Sequence, residues 1–164
     1  MHPAQHLIEL VRQVRPLTLK WVAKPEDRHL LWSPEGLCNH VLWHGGHILW
    51  VADSLCVRQL SGESQLPDGW GDIFGMDCDP VAERTDWPDR QQVLDLLEKQ
   101  QGEMLRLLED ADEAALSRQP SPDAGMTVAG KILHGLHDEA KHQGEIHLLI
   151  KQWRAQHDWQ PAAS

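Results

Sequence analysis

Apolar residues recur at helical spacing along four long stretches of the chain, and no stretch carries the strict alternation of a half-buried strand. The first runs from Ala4 to Ala23, with Leu7, Leu10, Val11, Val14, Leu17 and Trp21 on one face. Pro16 lies inside this stripe and predicts a kink or a break. The second stretch has a start signal in Ser33, a good N-cap, followed by Pro34 at the first helical position. Leu37, Val41, His44, Ile48, Val51 and Leu55 form its stripe, while Leu42, Leu49 and Trp50 make the other side apolar as well. A helix that is apolar nearly all round is a buried helix, and this one is expected to end near Leu60.

The pattern then stops. From Ser61 to about Asp86 the chain is rich in Gly, Pro and acids, with Trp70, Phe74 and Met76 among them. So long a connection is uncommon in a compact domain and is often functional. Its apolar residues predict that it packs down on the body, as a lid. Thr85 or Asp86, with Pro88 just inside, is expected to open a third helix carrying Val93, Leu97, Met104, Leu108, Ala111 and Ala115. A loop over Ser117–Met126 leads to Thr127, the expected cap of a last helix to about Arg154. The stripe there is Val128, Ile132, Gly135, Glu139, His142, Ile146, Leu149 and Trp153, and residues 156–164 read as a flexible tail. The expected fold is all-α, a single four-helix bundle domain over residues 1–164 with a long connection between helices two and three.

Composition narrows the function. Acidic residues outnumber basic ones 25 to 15 among 164, a formal net charge of −10, and no Lys/Arg-rich run occurs, which weighs against nucleic acid as a partner. No apolar run is long enough to span a membrane, and the N-terminus lacks a signal-peptide pattern. Cys38, Cys56 and Cys78 are far apart, which argues for reduced, buried thiols in a cytoplasmic protein rather than for disulfides or a thiolate zinc site. The chain holds 8 Trp but no Tyr, and its 11 His are too many and too clustered to pass over.

His40, His44 and His47 fall at helical spacing on helix two, and His134, His137, Asp138, Glu139, His142 and Glu145 crowd helix four. Taken singly, His40, His134 and His137 read as hydrogen-bonded core residues, and His29, His147 and His157 as surface residues. Together the two clusters predict a shared site. Imidazoles and carboxylates are costly to bury unpaired, and a divalent ion satisfies several at once. Asp138/His142 and Glu139/His142 are spaced so that two ligands meet one ion. Glu139-Ala140-Lys141-His142 is a literal Glu-x-x-His, but helix two offers no Glu for a di-iron carboxylate centre, so a mononuclear site fits better. Gly45-Gly46 allows a neighbouring helix or ligand to approach closely.

At these residues the chain resembles the DinB-like superfamily of DinB/YfiT-type four-helix bundles. The resemblance rests on Leu-Leu-Trp-Ser-Pro-Glu-Gly leading into Trp43-His44-Gly45-Gly46-His47, on a middle Gly-Trp…Phe-Gly stretch, and on His137-Asp138-Glu139-Ala140-Lys141-His142-Gln143-Gly144-Glu145-Ile146. It implies one divalent metal held by one residue of helix two and two of the last helix; the His and carboxylate ligands themselves suit zinc, nickel or iron. His142 matches the last ligand of the family pattern. Asp138 stands where the family usually has His. On helix two the resemblance favours His47, with His44 as the alternative. Some members transfer low-molecular-weight thiols such as bacillithiol, mycothiol or glutathione.

Two functional readings follow. In one, His47, Asp138 and His142 hold a metal that activates a thiol or water toward a small-molecule substrate, Glu139 or Glu145 serves as general base, and a cavity lined by Trp70, Phe74 or Trp50 takes the substrate. In the other, the protein is a non-catalytic stress-response or metal-binding bundle with a degenerate site. Helices this apolar, with Trp153 and Trp159 near the C-terminus, suit a homodimer, which the resemblance also implies.

Overall fold

A computed structural model describes residues 2–37, 39–76, 84–121 and 124–157. Its helices are α1 (Gln5–Ala23), α2 (Asp27–Leu30), α3 (Val41–Ala52), α4 (Arg58–Ser61), α5 (Trp70–Phe74), α6 (Arg90–Asp110), α7 (Glu113–Ser117) and α8 (Val128–His157). A π-helical turn, Asp53–Val57, joins α3 to α4 without interruption. No strand occurs among the described residues. α1 packs against α6 and α8, and α3 packs against the same two helices. The all-helical bundle expected from the periodicity is therefore present. No helix among the described residues is long and apolar enough to cross a membrane.

Several boundaries differ from the sequence reading, each for a local reason. Ser33-Pro34 does not open the second helix. Residues 34–37 close a turn in which the Leu37 N–H donates to the Pro34 carbonyl at 3.0 Å. His40 caps α3 instead, its Nδ1 accepting the Trp43 N–H at 3.1 Å. Neither Thr85 nor Asp86 starts α6. Trp87 precedes Pro88 and so disfavours helical backbone, and Asp89 provides the cap, accepting the Gln91 N–H. Ala115 belongs to α7, which Asp112 caps separately from α6. Thr127 caps α8 as expected, its hydroxyl oxygen accepting the Gly130 N–H at 3.1 Å. α8 stays helical through His157; residues 158–164, including Trp159, lie outside the described residues, as do Cys38 and Cys78.

α1 runs through Pro16 unbroken. Pro16 and Arg12 both face solvent, so water can serve the carbonyl left without its helical donor. The buried face of α1 is not the expected stripe. It comprises Leu7, Ile8, Val11, Arg15, Thr18 and Val22, while Leu17 is exposed. Arg15 and Thr18 thus sit in the interior.

Their partners form a polar layer across the bundle. The Arg15 Nε lies 3.0 Å from Glu139 Oε1, and its Nη2 donates to Glu139 Oε2 at 3.0 Å. Arg15 Nη1 donates to Gln100 Oε1 at 3.1 Å. The Thr18 hydroxyl donates to Glu139, and Gln143 Nε2 donates to the Thr18 oxygen and the Val14 carbonyl, both at 2.8 Å. Gln100 Nε2 donates to the Leu49 carbonyl at 2.9 Å. On one side of this layer Ile8, Val11, Cys56, Met104, Leu108 and Ile132 form one apolar cluster. On the other, Val22, Ile48, Leu49, Phe74, Leu97 and Ile146 form a second. Burial pushes the Cys56 thiol up to about 12, so it is inert packing at neutral pH.

Candidate metal centre

α3 and α8 face each other directly, and their contact carries the site. α3 supplies His44 and His47, one turn apart and both buried. α8 supplies Asp138, His142 and Glu145, at the four- and three-residue steps that share a helix face.

The connection after α4 orients His47. Asp53, at the start of the π-turn, accepts from the Gln65 N–H at 2.9 Å, the Ser64 hydroxyl at 2.8 Å and Arg58 Nε at 2.8 Å, which ties the chain down as it leaves α4. α5 then packs on α3, its Trp70 Nε1–H donating to the Gly46 carbonyl at 3.0 Å. A side chain at Gly46 would run into the Phe74 ring, so glycine is required for this approach. The Phe74 carbonyl reaches His47 Nδ1 at 2.6 Å. A carbonyl only accepts, so Nδ1 carries the proton and Nε2 presents its lone pair to the site. Trp43 stacks on the same ring at 4.6 Å and holds its plane.

His47 Nε2 lies 3.9 Å from Asp138 Oδ2, and His142 Nε2 lies 3.3 Å from the same oxygen. On its other edge, His142 Nδ1 lies 2.8 Å from Glu145 Oε2 and 2.8 Å from His44 Nδ1. The sequence alternatives His44 and His47 therefore both lie at His142, His44 against its Nδ1 and His47 across Asp138 Oδ2 from its Nε2. His47, Asp138 and His142 form one group able to hold a cation, and His44, His142 and Glu145 form another.

The donor set fits a divalent ion. Burial pushes His44 down to about 3, helped by the neighbouring His142, His47 and His40. Burial also lowers His47, partly opposed by the Phe74 carbonyl. Both imidazoles are thus neutral near pH 7 and offer lone pairs, the form a metal needs. Lys141 Nζ lies 3.5 Å from Asp138 Oδ1 and leaves Oδ2 to the histidines.

Glu139 stands apart. It is one residue from Asp138 and so about 100° round α8, facing α1, where Arg15 and Thr18 engage both carboxylate oxygens. Of the two general-base candidates Glu145 is the one at the site, with a half-exposed side chain. A cavity of about 400 Å³ opens there, lined by Leu37, Asn39, His44, Glu145, Leu149 and Gln152 among others. Trp70 and Phe74 are buried against α3 and do not line it, and Trp50 and Trp70 line a separate cavity of about 230 Å³. His134 and His137 are exposed rather than in the core. His29 is buried rather than at the surface, its ring 4.3 Å from Trp153.

A model of the DinB superfamily matches residues 10–146, which spans α1 through most of α8. The chain belongs to the DinB superfamily. A crystal structure of a conserved protein from Enterococcus faecalis has the same fold, with a TM-score of 0.69, 17% identity, and coverage of 91% of this chain and 95% of that one. No curated protein matches the chain. Within the DinB frame, two features lay beyond sequence reasoning: the Phe74 carbonyl behind His47, and the Arg15–Glu139 layer behind Asp138 and His142. Arg15 and Thr18 did leave a signal, since they continue the helical spacing of Ile8, Val11 and Val22.

The histidines also set an acid limit on stability. Burial pushes His40 down to about 4. As pH falls below the ordinary 6.5, the unfolded chain takes up protons at His40 and His44 while the folded chain does not. Folding is therefore favoured above pH 6.5 and loses about 1.4 kcal/mol per pH unit per histidine as pH falls toward 4. Urea unfolding of metal-free protein at pH 7 and pH 5 reads this slope. His40→Asn retains a good cap and is expected to make the slope shallower.

Proposed function

We propose that this DinB protein is a metal-dependent enzyme that transfers a low-molecular-weight thiol, or water, to an electrophilic small molecule, with zinc, nickel or iron held by His47, Asp138 and His142. The observation that carries the reading is the convergence of the His47 and His142 imidazoles and the Asp138 carboxylate between α3 and α8, next to a cavity that His44 and Glu145 line. A divalent ion would lower the pKa of a thiol or water and supply a nucleophile at neutral pH. The chain's own residues do the rest. Phe74 and Trp43 fix the His47 ring, and Glu145, at the cavity wall, accepts the proton released there as general base. The reducing use of cysteine supports a cytoplasmic setting, and exposed Leu133 and Leu148 on α8 support a homodimer.

Elemental mass spectrometry on untagged protein tests this reading. Bound metal is expected, lost in His142→Ala and lower by one ion per chain in His47→Ala, together with thiol-transfer or hydrolytic activity on a panel of electrophiles. Asp138→His, which restores the family's usual ligand, is expected to raise affinity for nickel and zinc over manganese. A second reading, a non-catalytic bundle, is favoured by the way a carboxylate already flanks each ring nitrogen of His142. Absence of metal after incubation with excess zinc and nickel would establish it instead.

A further inference from the structure

We infer that the site holds a second divalent cation, on the Nδ1 side of His142, bound by His44 Nδ1, His142 Nδ1 and the Glu145 carboxylate. This extends the metal-centre reading above and rests on it, because both positions share the His142 ring. A tetrahedral ion with N and O ligands at 2.0–2.1 Å has ligands about 3.3 Å apart. The three separations on the Nδ1 side are 2.8, 2.8 and 3.3 Å. Those on the Nε2 side include 3.3 and 3.9 Å. The Nδ1 group is therefore at least as close to a cation's coordination face as the group that matches the family pattern. Small rotations of the Glu145 carboxylate and the His142 ring complete it.

Two further observations support occupancy. His44 and Glu145 both line the cavity of about 400 Å³, so a cation there keeps open positions toward incoming molecules, as catalytic sites do. Gln152, which lines the same cavity, has a buried Oε1 with no hydrogen-bond donor, an acceptor left for a water or a ligand N–H. Asp138 and Glu145 contribute one carboxylate to each position, and holding an ion at both nitrogens releases the single N–H proton of the His142 ring to solvent, so three negative charges offset three of the four positive ones.

The test is zinc titration of full-length, untagged, chelator-stripped protein, read by native mass spectrometry and calorimetry. A second zinc ion per chain is expected. Glu145→Gln, which preserves size and a hydrogen bond at a half-exposed position, should remove the second ion and leave the first. His44→Ala should do the same, His47→Ala should remove only the first, and His142→Ala both. Binding of the second ion should release a proton, seen as a dependence of the calorimetric heat on buffer. A single ion per chain at saturation that His47→Ala removes overturns the inference and leaves the proposed centre standing, whereas a single ion that His47→Ala keeps overturns both. A second ion that survives both Glu145→Gln and His44→Ala marks adventitious binding at surface histidines and overturns the inference alone. Failure to bind any ion overturns both readings.

Discussion

Arg15→Leu is expected to lower the free energy of unfolding by about 3–5 kcal/mol, the usual cost of removing one partner from a buried ion pair. Arg15 is fully buried, and its guanidinium bridges α1 to Glu139 on α8 and to Gln100 on α6. Without it, Glu139 keeps only the Thr18 hydroxyl, and its charge has no compensation in the interior. Urea denaturation at pH 7 measures the loss. The double variant Arg15→Leu/Glu139→Leu should recover most of it, since apolar residues of similar size often replace a buried pair at little cost. The effect should reach the metal centre too. Glu139 and Gln143 follow Asp138 and His142 directly in sequence, so the layer that fixes the rotation of α8 toward α1 also aims the ligands toward α3. An Arg15→Leu protein that still folds should bind zinc more weakly although no ligand has changed.

The second large effect is expected at Gly46. Any β-carbon there falls well inside contact distance of the Phe74 ring, so Gly46→Ala must push α5 outward. Overpacking of this kind costs about 1–3 kcal/mol. The functional loss should exceed what stability alone suggests. Phe74 also lends the carbonyl that selects the His47 tautomer, and loss of such a support typically costs about 10–100-fold in metal affinity. Competition with a chromophoric chelator gives the affinity, and thermal unfolding without metal gives the stability. Gly45→Ala is the control. Its new methyl group would meet Val93 at 3.1 Å and Val22 at 3.3 Å, side-chain neighbours away from His47, so metal affinity should hardly change.

Much of this arrangement was legible in the chain. Period alone separates α1, α3, α6 and α8, and the spacing of Asp138, His142 and Glu145 puts them on one face. The near-continuous apolar run over Val41–Ala52 announces a helix buried on every side, as found. Other features were hidden because they depend on contacts between distant residues. Nothing local tells Glu139 from Asp138 as a ligand; the distinction comes from Arg15, 124 positions away. The role of Phe74 was out of reach for a different reason, since its backbone carbonyl does the work and its side chain advertises only packing. Helix starts failed where two capping candidates competed. Ser33 lost to His40, where residues 34–37 close a turn, and Asp86 to Asp89, where Pro88 disfavours helical backbone at Trp87.

The π-turn Asp53–Val57 has a consequence for how this scaffold tolerates insertion and deletion. Such a turn carries one residue more than the α-helical path needs, so it offsets the angular phase of α4 from that of α3. The histidines lie upstream of the offset and answer to α8. Cys56 and Val57 lie within it and Leu60 beyond it, and they answer to the far apolar cluster. Loss of a single residue there would leave His44 and His47 in place. It would turn everything after Asp53 by about 100°, drawing Ser64 and Gln65 off the Asp53 carboxylate and with them the start of the segment that delivers Phe74 to His47. The length of that one turn is therefore a tuning point for the metal centre that no ligand substitution would reveal.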